Sequence, residues 1–394
     1  MTEEPASGPA SGPVSGPRGG PLGGLRVVEL AGIGPAPFCA MLLADLGADV
    51  VRVDRADAPP ALLGGPSADL MNRGKRSIAV DLKHELGPEL VLRMAERADV
   101  LLEGFRPGVA ERLGVGPQPC LARNPRLVYG RMTGWGQEGP LAHTAGHDIA
   151  YLALTGTLHA IGRADGPPQV PLNLVGDYGG GSMYLAVGVL AALHEVARSG
   201  RGQVVDAAIV DGAAHLATIV HGMLAAGLWH DRRGVNLLDT GAPFYDVYET
   251  SDGRYVAVGP LERQFYAELV RLLGVEDTAP AQYDVAAWPQ LRAVLREAFA
   301  TRTRDEWAAV FADTDACVAP VLSLREAHEH PHLAARGTFV EHHGVTQPAP
   351  APRFSVTPSA LTTPPAIPGE HTKDVLVSWE LGDADELLTS GAVR

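Results

Sequence analysis

From Leu25 onward the chain alternates short β-branched runs with helix-spaced apolar segments, and that alternation leaves few folds open. Leu25 to Leu30 reads as a strand, Pro37 to Leu46 as a helix, and Asp49 to Val53 as a second strand ending at Asp54 and Arg55. Ser77 to Val80, Val100 to Glu103 and Arg126 to Arg131 continue as strands around a helix from Glu85 to Arg97. Crossovers of this length join parallel strands, so the fold class is α/β with a parallel sheet. Ligands of such sheets sit where the strands' carboxyl ends meet the following loops.

The alternation ends after a helix from Ser182 to Arg198, which follows Gly179-Gly180-Gly181 and is stopped by Gly200. The uncharged stretch Gly212 to Trp229 is near membrane-spanning length, but it contains His215, His221 and several glycines. It is expected as a buried helix. Tyr245 to Thr250 and Tyr255 to Val258 flank Ser251-Asp252-Gly253, a hairpin, so a second domain begins near Phe244. Helices at Glu262 to Leu273, Trp288 to Ala300 and Arg304 to Asp313 fill it, and a Pro-rich arm, Pro348 to Pro368, leads to a helix near Thr372 to Glu380. The expected order is a Ser-Gly-Pro tail over 1–20 without structure, a large domain over 21–207 and linker helices over 208–243. A small domain over 244–331, a linker over 332–350 and a C-terminal return over 351–394 complete it.

Charge and cysteine usage narrow the partners. The net charge of -14 and the lack of any basic run exclude nucleic acid, while a few arginines facing one cleft still suit a small anion. Cys39, Cys120 and Cys317 lie far apart without CxxC spacing, which argues against a disulfide framework or structural zinc and for a reducing, cytoplasmic setting. The N-terminus lacks the basic-then-apolar pattern of a secretion signal, Gly391-Ala392-Val393-Arg394 is no peroxisomal address, and no membrane association is expected.

The first βα turn, Ala31-Gly32-Ile33-Gly34-Pro35-Ala36-Pro37, sits where a dinucleotide fingerprint would. Pro35 and Pro37 replace residues whose amides would hold a pyrophosphate, so GxGxxG is absent and NAD is not expected. Arg55, Lys75, Arg76, Lys83 and Arg106 fall at or just after strand ends, as solvated surface charges or as ligands of a phosphate-rich molecule. His147 precedes an apolar stretch and is either a structural histidine or a functional one. Asp177 lies between apolar residues and a glycine run, as a helix N-cap or as a carboxylate beside a closely approaching ligand.

Taken in order, Val27-Val28-Glu29-Leu30 to Arg55, Gly74-Lys75-Arg76-Ser77, Ala145 to Tyr151, Asn173 to Gly181, Gly202 to Asp206 and Gly241 to Tyr245 resemble the alpha-methylacyl-CoA racemases of the class III CoA-transferase superfamily. The resemblance runs from about Leu22 to Leu381. It implies a Rossmann-like large domain completed by the returning C-terminus, a smaller α+β domain and an interlocked homodimer. His147 and Asp177 resemble the family's two acid/base residues, and Glu262 the carboxylate that pairs with the histidine. The racemases usually read Gly-Ala-Ile-Glu-Pro-Gln-Phe there, and Pro260, Leu261 and Arg263 depart from that pattern. Arg55, Val80, Asp81, Leu82, Lys83, Arg106 and Arg112 match positions around adenine and phosphates. Gly146, His147, Asp148, Ile149, Ala150 and Tyr151 match those near pantetheine and thioester.

The implied reaction interconverts (2R)- and (2S)-2-methylacyl-CoA thioesters through an enolate, with CoA as part of the substrate, no separate cofactor and no metal. Two groups on opposite faces of Cα, an imidazole and a carboxylate, exchange the roles of acid and base. The thioester oxygen gains charge and needs backbone N–H donors from the glycine run or a helix N-terminus. Met183 is either helix core or part of a non-directional surface for the acyl tail. Two other readings remain: a CoA-transferase in which Asp177 is the nucleophile of an acyl anhydride, and a CoA-ester-binding protein without turnover.

Overall fold

A computed structural model describes residues 19–57 and 68–394. The expectation for the tail lies, up to residue 18, outside the described residues; Gly19 and Gly20 pack against the backbone of Leu46 and Gly47.

The chain divides into two units, one of 1–131, 185–205 and 341–394, the other of 132–184 and 206–340. In this division 132–184 is grouped with 206–340, whereas the linear reading counts it with the large domain. Residues 332–350, expected as a linker, contain most of the helix Pro331–Arg336 and a two-stranded ribbon, Phe339–His342 with Val345–Pro348.

The first unit is built on β1 (Arg26–Leu30), β2 (Asp49–Arg55), β3 (Arg76–Val80), β4 (Val100–Glu103) and β5 (Val128–Thr133). With β6 (Gln203–Ala208) they form one sheet in the order β3-β2-β1-β4-β5-β6, the order of a dinucleotide-binding fold. The pairings β1 with β2, β2 with β3, β1 with β4 and β4 with β5 are parallel. Val28, Val51, Ile78, Leu101 and Tyr129 are buried in its core, as runs covered on both faces must be.

The same core includes Val375, Leu376 and Trp379 of the returning C-terminus. Val80 bridges Val393 antiparallel, the Arg394 amide donates to the Ala79 carbonyl at 3.1 Å, and the Asp81 amide to the Ala392 carbonyl at 2.9 Å. Residues 392–394 therefore cover the edge of β3, whose backbone groups would otherwise be open to pairing. The Pro-rich arm lies on its own unit: the Thr363 carbonyl accepts from the Gly74 amide at 3.0 Å, and that of Pro348 from Arg73 at 2.9 Å.

The second unit contains the expected hairpin, β7 (Asp246–Glu249) and β8 (Tyr255–Val258), turned by Gly253 at φ 71° and extended by β9 (Val318–Pro320). Helices Arg263–Leu273, Trp288–Phe299 and Arg304–Phe311 pack on Phe244, Tyr248, Trp307 and their neighbours. The last of these helices starts with a capping box, Thr303 and Glu306 satisfying each other's amides.

One expectation is overturned. Gly212 to Trp229 is not a buried helix: it breaks at Ala217 into Ile209–Leu216 and Thr218–Ala225, and Leu216, Ile219 and Leu228 are exposed. Among the described residues the one helical stretch with the length and mean hydropathy to cross a membrane is Leu174–Ser199, and 44% of its 18-residue apolar window is buried inside the protein.

Candidate active site

In the first unit, β2, β3 and β4 deliver basic residues at their carboxyl ends. Arg55 ends β2, exposed and paired with Asp57 at 2.9 Å. Val80 is buried in the core, with its carbonyl accepting the Ala56 amide at 3.2 Å, and Leu82 packs half-buried on the same core. The Asp81 carboxylate accepts the Lys83 amide at 2.9 Å, closing the turn after β3. At the end of β4 the buried Glu103 accepts the Phe105 amide at 2.7 Å and pairs with Arg131 at 2.8 Å, which fixes the loop carrying Arg106. Gly108, at φ 81°, then turns the chain into Val109–Arg112. Lys83, Arg106 and Arg112 are exposed, and among the described residues their charges have no ion-pair partner. Such cations suit the phosphates of an anionic ligand.

Lys75 and Arg76 are otherwise employed. Lys75 is buried and paired with Glu29 at 2.7 Å, and its Nζ donates to the Pro37 carbonyl and Asn72 Oδ1. Arg76 pairs with Asp49 at 2.6 Å. Both are structural charges, not ligands for an anion.

In the second unit the loop after β5 leads to His147 and Asp148. Side chains at Gly134 or Gly146 would run into the Tyr151 ring, so both glycines let that ring lie flat against the loop. The ring meets Trp135 edge-on at 4.7 Å. His147 is the N-cap of helix Asp148–Leu154, with extended φ of -136° and no side-chain cap, so its ring is exposed. Asp148 is buried, and its Oδ1 accepts the Asp177 amide at 2.7 Å.

Asp177 is not an N-cap. It lies inside a π-helix, Leu174–Ser182, the wide turn that recurs at functional sites. The glycines make room for it: a Cβ at Gly212 would overlap the Gly180 carbonyl, so Ile209–Leu216 and the π-turn touch backbone to backbone. Lost solvent pushes the Asp177 carboxyl up, the Asn173 amide opposes that, Asp148 adds to it, and His147 pulls it down. His147 and Asp177 thus lie within each other's field. Met183, which follows the π-turn, is 47% exposed and is not helix core.

Glu262 is placed at the N-cap of Arg263–Leu273, exposed, near Cys317. Its altered neighbours are held firmly: Gln282 Nε2 donates to the Pro260 and Leu261 carbonyls at 2.8 and 2.9 Å, and Tyr283 Oη to that of Leu261 at 2.5 Å. Among the described residues, no hydrogen bond or ion pair joins Glu262 to His147 within the chain. No group of three or more His, Cys, Asp or Glu side chains among them fits a metal ion. Two features escaped sequence reasoning, the grip of Asp148 on the Asp177 amide and the support that Gln282 and Tyr283 give the Glu262 loop. A glycine directly before Asp177 was the signal for the first.

Alpha-methylacyl-CoA racemase of Mus musculus is 47% identical over 357 residues, covering 90% of this chain and 92% of that one. The protein of the same name from Homo sapiens is 45% identical over 385 residues, covering 94% and 98%. The crystal structure of a CAIB/BAIF family protein from Brucella suis matches with a TM-score of 0.80 at 29% identity, covering 92% of this chain and 100% of that one. Residues 22–372 match the model of CoA-transferase family III, and the chain belongs to that family, in the group that holds the alpha-methylacyl-CoA racemases.

Proposed function

We propose that the protein interconverts (2R)- and (2S)-2-methylacyl-CoA thioesters by moving the Cα proton between His147 and Asp177. The observation that carries this reading is the pair itself: an exposed imidazole and a half-buried carboxyl with raised proton affinity, within each other's field. One enantiomer meets a neutral imidazole and a protonated carboxyl, the other an imidazolium and a carboxylate. One group takes the proton from its face of Cα while the other delivers a proton to the opposite face.

The Asp148 and Ile149 amides head the helix that His147 opens, where no intrahelical acceptor reaches them. They are the donors for the thioester oxygen as it gains charge. Lys83, Arg106 and Arg112, with Arg55, hold the CoA phosphates, and the backbone at Val80, Asp81 and Leu82 borders the adenine. Gly146, Ala150 and Tyr151 border pantetheine and thioester, and exposed Met183 offers the acyl tail a non-directional surface. In this reading Glu262 is the carboxylate that orients His147, and the protein acts as an interlocked homodimer. Buried or exposed, Cys39, Cys120 and Cys317 are free thiols, in keeping with a cytoplasmic enzyme.

The test is proton NMR of 2-methyldecanoyl-CoA in heavy water without an acceptor acid. The Cα proton signal is lost with the wild type, while His147→Ala and Asp177→Ala each abolish epimerisation and still bind CoA. Wild-type epimerisation in either variant refutes the assignment. CoA transfer to a free acid, without exchange, would favour Asp177 as nucleophile.

A further inference from the structure

We infer that Asp148 is the positioning residue of the proton-transfer pair, tying the turn that carries Asp177 to the turn that His147 opens. The inference rests on the racemase reading above and assigns Asp148 a role distinct from contact with the CoA moiety.

Three observations meet at this side chain. Asp148 begins its own helix, yet its Oδ1 reaches the amide of Asp177, 29 positions along the chain, at the 2.7 Å of a charge-assisted bond. The residue before Asp177 must be glycine, because a Cβ at Gly176 would occupy the place of that same oxygen. The other oxygen, Oδ2, is buried and has no hydrogen-bond partner among the described residues. Since His147 and Asp148 are consecutive, any shift of one turn is carried to the other. The two proton carriers are therefore tied together through one side chain.

The choice of a carboxylate has its own meaning. An amide or hydroxyl oxygen would also accept the Asp177 N–H, more weakly but without the cost of burying a charge. A carboxylate adds negative charge beside Asp177, which raises the proton affinity of that group. A base that must also serve as acid needs its two forms to be close in free energy. Asp148 thus has two separable effects, one geometric through Oδ1 and one electrostatic through its charge.

The experiment uses the full-length protein with 2-methyldecanoyl-CoA, assayed in both directions across pH, with melting curves for each variant. Asp148→Ala removes the acceptor and lowers kcat by roughly 10²-fold, the cost of about an ångström of misplacement at a reacting group. KM stays within about twofold, because the change affects proton transfer and not binding. Asp148→Asn keeps an acceptor oxygen and loses the charge. It retains more activity than the alanine variant, and in the direction where Asp177 takes the proton its acid limb moves to lower pH. Gly176→Ala, which pushes Oδ1 aside with Asp148 intact, lowers kcat in the same way. If Asp148→Ala does not fold, the asparagine variant decides by its pH limb. Wild-type kcat and pH limbs in folded Asp148 variants, or a loss confined to KM, overturn the inference. Absence of Cα exchange in the wild type would instead refute the racemase reading.

Discussion

Replacing Lys75 by methionine removes the positive half of an ion pair sealed in the first unit. Both side chains are fully inaccessible, the charges are 2.7 Å apart, and Lys75 Nζ also holds the Pro37 carbonyl and Asn72 Oδ1. Methionine fills most of the lysine's volume, so the loss is mainly the uncompensated Glu29. Breaking a buried pair on one side costs about 3–5 kcal/mol, against about 0–1 for an exposed pair. Differential scanning calorimetry should therefore show the melting temperature of this unit lowered by about 10 °C. Burial raises the Glu29 carboxyl's pKa in the folded state, and in the variant nothing from Lys75 opposes it. A group with a raised folded pKa contributes fully below its unfolded value, and that contribution is lost as pH rises through the folded value. The deficit should therefore shrink in acid and grow toward neutrality. Adding Glu29→Leu to Lys75→Met should recover most of the loss, since apolar replacement of a whole buried pair is often neutral. A single variant that melts within about 1 kcal/mol of the wild type, with no pH dependence of the difference, would refute the reasoning.

Arg106→Ala and Lys83→Ala should each weaken binding of CoA in titration calorimetry and raise KM with kcat nearly unchanged, more so at low salt. Unaltered affinity at low ionic strength would remove these cations from the ligand site. Gly212→Ala places a methyl against the Gly180 carbonyl and should cost about 1–3 kcal/mol. Because the displaced turn carries Asp177, kcat should fall with it, and a variant with wild-type melting and turnover would contradict that packing.

The sheet was legible because a strand buried on both faces needs an apolar run, and β1 to β5 consist of such runs or nearly so. The hairpin at Ser251 to Gly253 was legible through its turn residues. What sequence could not separate was a cation at a strand end that faces ligand from one that faces inward. Lys75 and Lys83 look alike along the chain, yet one meets Glu29 in the core and the other is exposed. The distinction depends on pairing across the fold, which local patterning does not encode. Gly212 to Trp229 misled for a related reason, since an uncharged stretch is apolar whether or not its own chain covers it. At the candidate site the residue types were visible, but the Asp148 bond is a contact between distant segments. Only the absence of a side chain at Gly176 hinted at it.

The seam along β3 also has a kinetic side. The Ala79 amide donates to Thr372 Oγ1, 293 positions away, and the bridge at Val393 spans still more of the chain. Loop closure over such separations is slow relative to local helix and hairpin formation. During refolding, a half-built sheet with a bare rim would persist while the distal segment searches for it. The yield should accordingly fall as protein concentration rises, with intermolecular strand pairing competing for the same row of amides and carbonyls.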